Sequence, residues 1–326
     1  MSIIYNNIFF DVYNLWYRVA TKNESLTDVG DKKVPIDAIC KFFELTDGYI
    51  KKYGSVEKCR VWYLFDNAKT SMLKNRKLLD KDYKKNREIQ PDWFYTGINM
   101  IELIAKYYRD NSVIYRVQNI EADDFVAPLI DNYINEHDKV LMFSTDMDWG
   151  RCLLNDTKKD VVVNQYTRNN EILTVKSFEE KFGFKPTYSN VCFWKTLYGD
   201  QSDCILPTLS NYPKQYFLDC INRYTDVSRF ISDALNGKIT YLDAGWRIKI
   251  KNCAERMMMN WQLVSNLDIN NFDLENWKVE CAYKPNKLLI IYNTLNIVGR
   301  FDKRVKNENK DSDLLSMLEG ETVERA

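Results

Sequence analysis

Residues 61–66 read VWYLFD, five apolar or aromatic side chains closed by an aspartate. A run with no polar face is what a strand buried on both sides of a parallel sheet looks like in sequence. Two other stretches share this form: Ile3–Asp11, which ends in IFFD, and Lys139–Ser144 (KVLMFS), followed at once by Thr145 and Asp146. Between them lie helical signals. Ile36, Ile39, Cys40, Phe43 and Ile50 are spaced for one face of a helix over Pro35–Tyr53, and Pro91–Tyr108 reads as another. Val113–Val117 reads as a short strand. Glu121–Ile134 is a helix whose first turn carries three acids, favourable beside the positive end of its dipole. Apolar strands alternating with helices predict an α/β fold with a mostly parallel central sheet flanked by helices.

After about residue 187 the pattern changes. Asn190–Leu197, Lys214–Asn222, Val227–Leu235 and Leu288–Leu295 predict a mainly helical C-terminal region. The expected division is a core over 1–187, containing a basic segment at 67–90, a helical region over 188–301, and a charged tail over 302–326. Thr157–Asp160 reads as a linker, and no internal repeat is present.

Composition narrows the chemistry. The 326 residues include 46 Lys+Arg, 46 Asp+Glu and one histidine, His137. One imidazole excludes any zinc site built on paired histidines. The eight cysteines are scattered with no C-x-x-C, which argues against a thiolate zinc site and for reduced thiols in a cytoplasmic protein. Metal chemistry must then rest on carboxylates, which favour Mg²⁺ or Mn²⁺. Neither a signal peptide nor an 18-residue apolar stretch is seen, so no membrane role is expected.

Three strands end in acids: Asp11, Asp66, and the pair Asp146 and Asp148. Glu121, Asp123 and Asp124 open the helix that follows a fourth strand, and Asp200 and Asp203 lie in GDQSD, on the turn after a helix. Open parallel sheets bind ligands outside the carboxyl ends of their strands, so most of these nine acids should converge there. Any one of them has an ordinary alternative as a helix N-cap or solvated turn residue. Together they would repel one another unless divalent cations neutralise them. Two such ions can activate a water and stabilise a leaving oxygen in phosphoryl transfer.

The stretch KTSMLKNRKLLDKDYKKNR (69–87) carries eight basic residues and two acids directly after the VWYLFD strand. Met72, Leu73, Leu79 and Tyr83 predict a helix with an apolar side. A solvated charged face is the ordinary reading of such a run. Cations beside an acidic cluster would also draw phosphates towards carboxylates that repel them.

These motifs together resemble the phage and bacterial 5′-3′ exonucleases and flap endonucleases, most of all the T-even phage ribonuclease H branch. The resemblance rests on FFDVYNLWYR (9–18), FDNAK (65–69), YKKNR (83–87), IEADD (120–124), STDMDW (144–149) and GDQSD (199–203), in order over residues 3 to about 205. Leu288–Val298 is similar to the family's last helix. The resemblance implies a PIN-like, flap-nuclease core. Asp11, Asp66, Glu121, Asp123 and Asp146 would surround a first Mg²⁺ or Mn²⁺, and Asp148, Asp200 and Asp203 a second, with Asp124 in support. Lys84 and Arg87 would stand on a helical arch and touch the scissile phosphate. Lys69, Lys74, Arg76, Lys77 and Lys85 would line the nucleic-acid path, and Tyr83 would stack on a terminal base. The implied substrates are DNA or RNA–DNA with free 5′ ends or flaps, as in primer removal during phage replication.

The sequence also departs from the family. Where a glutamine is usual after the D-x-D, this chain has Arg151, and Cys204 replaces the asparagine usual after the last Ser-Asp. The glycine-rich hairpin that binds duplex backbone and K⁺ is replaced by ILPTLSNYPKQYFLDC (205–220), which has no glycine. Lys214 is the candidate for a retained phosphate contact there, and the missing glycines argue against K⁺ binding. A weakly active or inactive DNA-binding subunit of a replication or transcription assembly is the alternative function. An aspartyl phosphatase is disfavoured because Val12 and Tyr13, not a second aspartate, follow Asp11. Asp313–Glu319, an apolar cluster in the charged tail (312–319), is a candidate docking segment for a sliding clamp or single-strand-binding protein.

Overall fold

The computed structural model describes residues 4–22, 25–66, 74–86, 88–117, 120–154, 160–167, 171–209, 211–265 and 273–305. Lys69, Arg87 and the 312–319 segment lie outside them. The strands are β1 (Asn7–Asp11), β2 (Thr27–Val29), β3 (Lys32–Val34), β4 (Arg60–Phe65), β5 (Ser112–Arg116), β6 (Lys139–Phe143), β7 (Val162–Tyr166), β8 (Ile172–Leu173) and β9 (Lys278–Cys281). The helices are α1 (Val12–Ala20), α2 (Ile36–Tyr53), α3 (Lys74–Leu79), α4 (Asp92–Tyr108), α5 (Ala122–Tyr133), α6 (Val175–Phe182), α7 (Tyr188–Tyr198), α8 (Lys214–Arg223), α9 (Val227–Leu235), α10 (Ala244–Asn252), α11 (Ala254–Val264) and α12 (Pro285–Leu295).

The chain forms two compact units that interleave in sequence: Met1–Asp66 with Gln90–Arg116 and Asp273–Ala326, and Asn67–Ile89 with Val117–Phe272. In the first unit β1 pairs in parallel with β4, Asn7 opposite Arg60 and Asp11 opposite Leu64, and β4 pairs in parallel with β5. β9 returns late in the chain and joins β5 antiparallel. The β1 and β4 interiors are buried almost throughout, as their uninterrupted apolar sequence requires. Phe9 stacks on Trp62 at 4.9 Å, and the Trp62 indole N–H donates to the Asn7 side chain at 3.0 Å.

Helix α1 buries Val12, Leu15, Trp16 and Val19, an i, i+3, i+4, i+7 stripe. The Trp16 indole donates to Phe94 O in α4 at 3.0 Å. A Cβ at Gly97 would come within 2.2 Å of the Trp16 ring, so α4 can lie this close to α1 only with glycine there.

In the second unit β6 and β7 are parallel and β8 closes antiparallel on β7. Helix α11 packs on α7 and α9. Inside that packing, Asn260 Nδ2 donates to Thr196 O and Leu206 O. The α/β architecture with mostly parallel strands flanked by helices is what the sequence predicts; the stretch 188–301, expected to be mainly helical, holds α7 to α12 and also β9. The basic segment differs from expectation. Among the described residues its helix is only Lys74–Leu79; of the residues expected to form its apolar side, Leu79 is exposed, Tyr83 is buried, and Met72 and Leu73 lie outside the described residues. Ion pairs of Arg76 and Lys84 also hold it.

Candidate metal centre

Asp11 ends β1 and caps α1, accepting from Asn14 N at 3.0 Å. Asp66 follows β4, so both acids stand at the carboxyl end of the neighbouring parallel strands of the first unit.

The remaining acids belong to the second unit, where six of them form two triads. Glu121, Asp123 and Asp124 each offer a carboxylate oxygen within 4.8 Å of the others, and so do Asp148, Asp200 and Asp203. The first triad arises because Glu121 is the extended residue before α5, and Asp123 and Asp124 lie in the helix's first turn. The second joins a 3₁₀ turn (Met147–Cys152) to the turn after α7. Gly199 makes the latter turn possible: its φ is +74°, and a Cβ there would meet Ile205 O at 2.4 Å. Asp146 lies in neither triad. It caps the 3₁₀ turn, accepting from Asp148 N at 2.9 Å. Gln165, on β7, donates to Ser144 O and Asp146 O and fixes the D-x-D backbone from the next strand.

Four buried cations face these six acids. Arg76 makes a forked contact with Asp124 at 2.7 and 3.1 Å, donates to Glu121 at 2.5 Å, and reaches Ser265 O at 3.0 Å. Lys84 donates to Glu121 and lies 3.5 Å from Asp203. Lys195 lies 2.5 Å from Asp148 and 2.6 Å from Asp200. Arg151 reaches Asp123 at 3.5 Å and Asp148 at 3.6 Å. The Tyr83 hydroxyl sits 3.4 Å from Glu121 and 3.3 Å from Asp203. The backbone is tied in too: Lys84, at φ +52°, donates its N–H to Asp203 O at 2.9 Å.

The electrostatics divide the acids. Burial alone would raise the Asp148 carboxyl, but Lys195 and Arg151 outweigh it and hold the group well below the usual carboxylate range. Asp200 is lowered, with Lys195 again overcoming burial. Lys195 is held above its ordinary value because Asp148 and Asp200 outweigh its own burial. Asp123 goes the other way: burial, then the charges of Asp124, Glu121 and Asp148, push it well above the carboxylate range. Burial also raises Asp124, against the pull of Arg76. Asp123 Oδ1 is moreover buried and accepts no hydrogen bond. Two carboxylate triads, one with a buried oxygen of Asp123 that accepts no hydrogen bond, fit a hard divalent ion of the Mg²⁺ or Mn²⁺ kind.

The sequence-predicted nucleic-acid residues are placed unevenly. Arg76, Tyr83 and Lys84 are 3%, 2% and 4% exposed, turned onto the acids rather than towards solvent. The acids supply the reason, since buried like charges need counter-charges close by. Lys77 is exposed on α3, and Lys85 is exposed and pairs with Asp82 at 3.1 Å. Lys74 begins α3, and Lys214, exposed, begins α8. Sequence reading did not single out Lys195. Its one signal was a lone charge amid Phe193, Trp194 and Leu197.

The two acidic triads, carried on an α/β scaffold, are sets of carboxylates that could each hold a metal ion. The family described as 5′-3′ exonuclease, N-terminal resolvase-like domain, matches residues 6–183, more than half of the chain, and the chain belongs to it. It is 27% identical over 238 residues to a "5′-3′ exonuclease" of Buchnera aphidicola, covering 72% of this chain and 78% of that protein. A "5′-3′ exonuclease" of Aquifex aeolicus is 26% identical over 202 residues, covering 62% and 64%. The fold is similar to that of bacteriophage T5 D15 protein co-crystallised with metal ions, at a TM-score of 0.55 and 17% identity over 92% of this chain and 98% of that one. It is also similar, at a TM-score of 0.53 and 16% identity over 92% and 97%, to T5 D15 flap endonuclease in a pseudo-enzyme-product complex with DNA and metal ions. Among the described residues no helix is long and apolar enough to cross a membrane.

Proposed function

We propose that this chain is a two-metal-ion 5′-3′ exonuclease and flap endonuclease that hydrolyses phosphodiester bonds at the 5′ ends of DNA or RNA–DNA, as in removing primers during phage replication. The observation that carries this reading is the pair of carboxylate triads, with Asp123 Oδ1 left unsatisfied between burial and like charge. Bound divalent ions would supply the charge that activates water and stabilises the leaving oxygen. Glu121, Asp123 and Asp146, with Asp124 in support, would hold one ion; Asp148, Asp200 and Asp203 would hold the other.

The chain's own cations take the remaining roles. Lys84 and Arg76 neutralise the acids when no substrate is bound. With Arg87 they then offer donors to the scissile phosphate, where charge develops in the transition state. Lys77, Lys85 and Lys214 would contact backbone phosphates, and the metals' charge would offset a sequence whose net charge is zero.

Two variants test this. Asp146→Asn should abolish cleavage of a 5′-flap substrate while leaving its binding nearly intact, and unchanged turnover would overturn the ligand assignment. Lys84→Ala should slow cleavage on the order of a hundredfold, as loss of one preorganised donor does, and weaken binding far less. An equal loss in both would make Lys84 an affinity contact only.

A further inference from the structure

Arg151, like Lys84, touches both triads, but its anchoring differs from that of Lys84. It is 4% exposed. Its Nε donates to Asp148 O at 2.9 Å and its Nη1 to Val264 O at 2.6 Å, so two backbone carbonyls, one in the 3₁₀ turn and one ending α11, fix the guanidinium. The Tyr188 ring lies 5.6 Å from it. Only Nη2 faces the acids, 3.5 Å from Asp123 Oδ2 and 3.6 Å from Asp148 Oδ1. A side chain pinned by two carbonyls resists withdrawal when a second cation arrives, because withdrawal would break both buried hydrogen bonds.

We propose that Arg151 is a resident counter-charge that bridges the two triads, positions Asp123 and Asp148, and holds down their affinity for divalent metal. Glutamine is close in shape to the inner part of the side chain and carries no charge. The proposal rests on the reading of the triads as metal sites. A fixed positive charge this close to a divalent ion opposes its entry directly, and the opposition disappears with the charge. At the same time it relieves repulsion between Asp123 and Asp148 when no metal is bound.

The experiment titrates Mn²⁺ into the full-length protein without substrate, reading binding by the loss of the free-ion electron paramagnetic resonance signal, for wild type, Arg151→Gln and Arg151→Lys. Arg151→Gln should bind Mn²⁺ at least tenfold more tightly than wild type. It should also melt at lower temperature in EDTA and gain more from Mn²⁺ than wild type does. Arg151→Lys keeps the charge but loses the two-carbonyl anchor, so its ammonium can retreat; its affinity should fall between, two- to fivefold above wild type. Affinity within twofold of wild type in both variants overturns the proposal, as does an equal change in both, which marks a packing role. An Arg151→Gln protein that folds only with Mn²⁺ meets the expectation. If it does not fold at all, Arg151→Lys decides alone, and unchanged affinity overturns the proposal. Failure of all three proteins to bind Mn²⁺ would refute the metal reading itself; binding by wild type unaltered in the variants would refute only the role of Arg151.

Discussion

Replacing Arg76 with methionine removes a guanidinium and keeps most of the side-chain volume. Arg76 forks onto Asp124, which has no exposed surface, and also reaches Glu121 and Ser265 O. Lys84 still offsets Glu121, so the loss falls mainly on Asp124. Breaking a buried ion pair by removing one partner costs about 3–5 kcal/mol, because the other charge stays buried without that counter-charge. For a unit of the size of Asn67–Ile89 with Val117–Phe272, each kcal/mol moves the melting temperature by roughly 2–4 °C. The variant should therefore melt on the order of 10 °C below wild type in EDTA. Saturating Mn²⁺ should close at least half of that gap, because a divalent ion at Asp123 and Asp124 takes over the neutralisation. Calorimetry on both proteins with EDTA and with Mn²⁺ measures this. A gap below 2 °C in EDTA, or one that Mn²⁺ leaves unchanged, would refute the claim that Arg76 and metal serve the same carboxylates.

Two other outcomes follow from the same structure. Burial pushes the Cys40 thiol up to about 11 and those of Cys59, Cys152 and Cys281 up to about 12. At pH 8 the native protein should therefore react quickly with a disulfide reagent only at the half-buried Cys204 and Cys253, and at all eight thiols once denatured; four or more fast thiols in the native state would contradict the packing. Gly199→Ala should misplace Asp200 and Asp203, since the new Cβ would collide with the Ile205 carbonyl at a positive φ. Mn²⁺ affinity should drop about tenfold or more while the far-ultraviolet circular dichroism stays native, and wild-type affinity would show that the turn adapts.

Much of the fold was legible because burial on both faces leaves a plain signature. VWYLFD and KVLMFS are strands within a residue of their predicted bounds, and Val227–Leu235 is a helix at its predicted limits. β7 escaped notice because Asn164 and Gln165 interrupt its apolar run. Gln165 is polar for a reason that only tertiary structure shows, its bonds to Ser144 O and Asp146 O. β9 was hidden by its shortness and alternating charge, and by its partner β5 lying far earlier in the chain. The acids stood out as strand-end residues, and several do act as caps as well: Asp11 and Asp146 hold the first turn of the element they precede. The cations were harder. Arg76 and Lys84 read as a solvated or DNA-facing run, and Lys195 as one lysine in a helix, because counter-charge pairing between segments distant in sequence, as in Arg76–Glu121, Lys84–Glu121 and Lys195–Asp148, leaves no periodic trace.

The most direct test of the account is the fate of a 5′-labelled flap substrate incubated with the purified protein in Mg²⁺ or in EDTA. The account predicts release of a short labelled 5′ fragment with Mg²⁺ and an intact substrate with EDTA. A substrate that is bound under these conditions yet remains uncut with either Mg²⁺ or Mn²⁺ would contradict it.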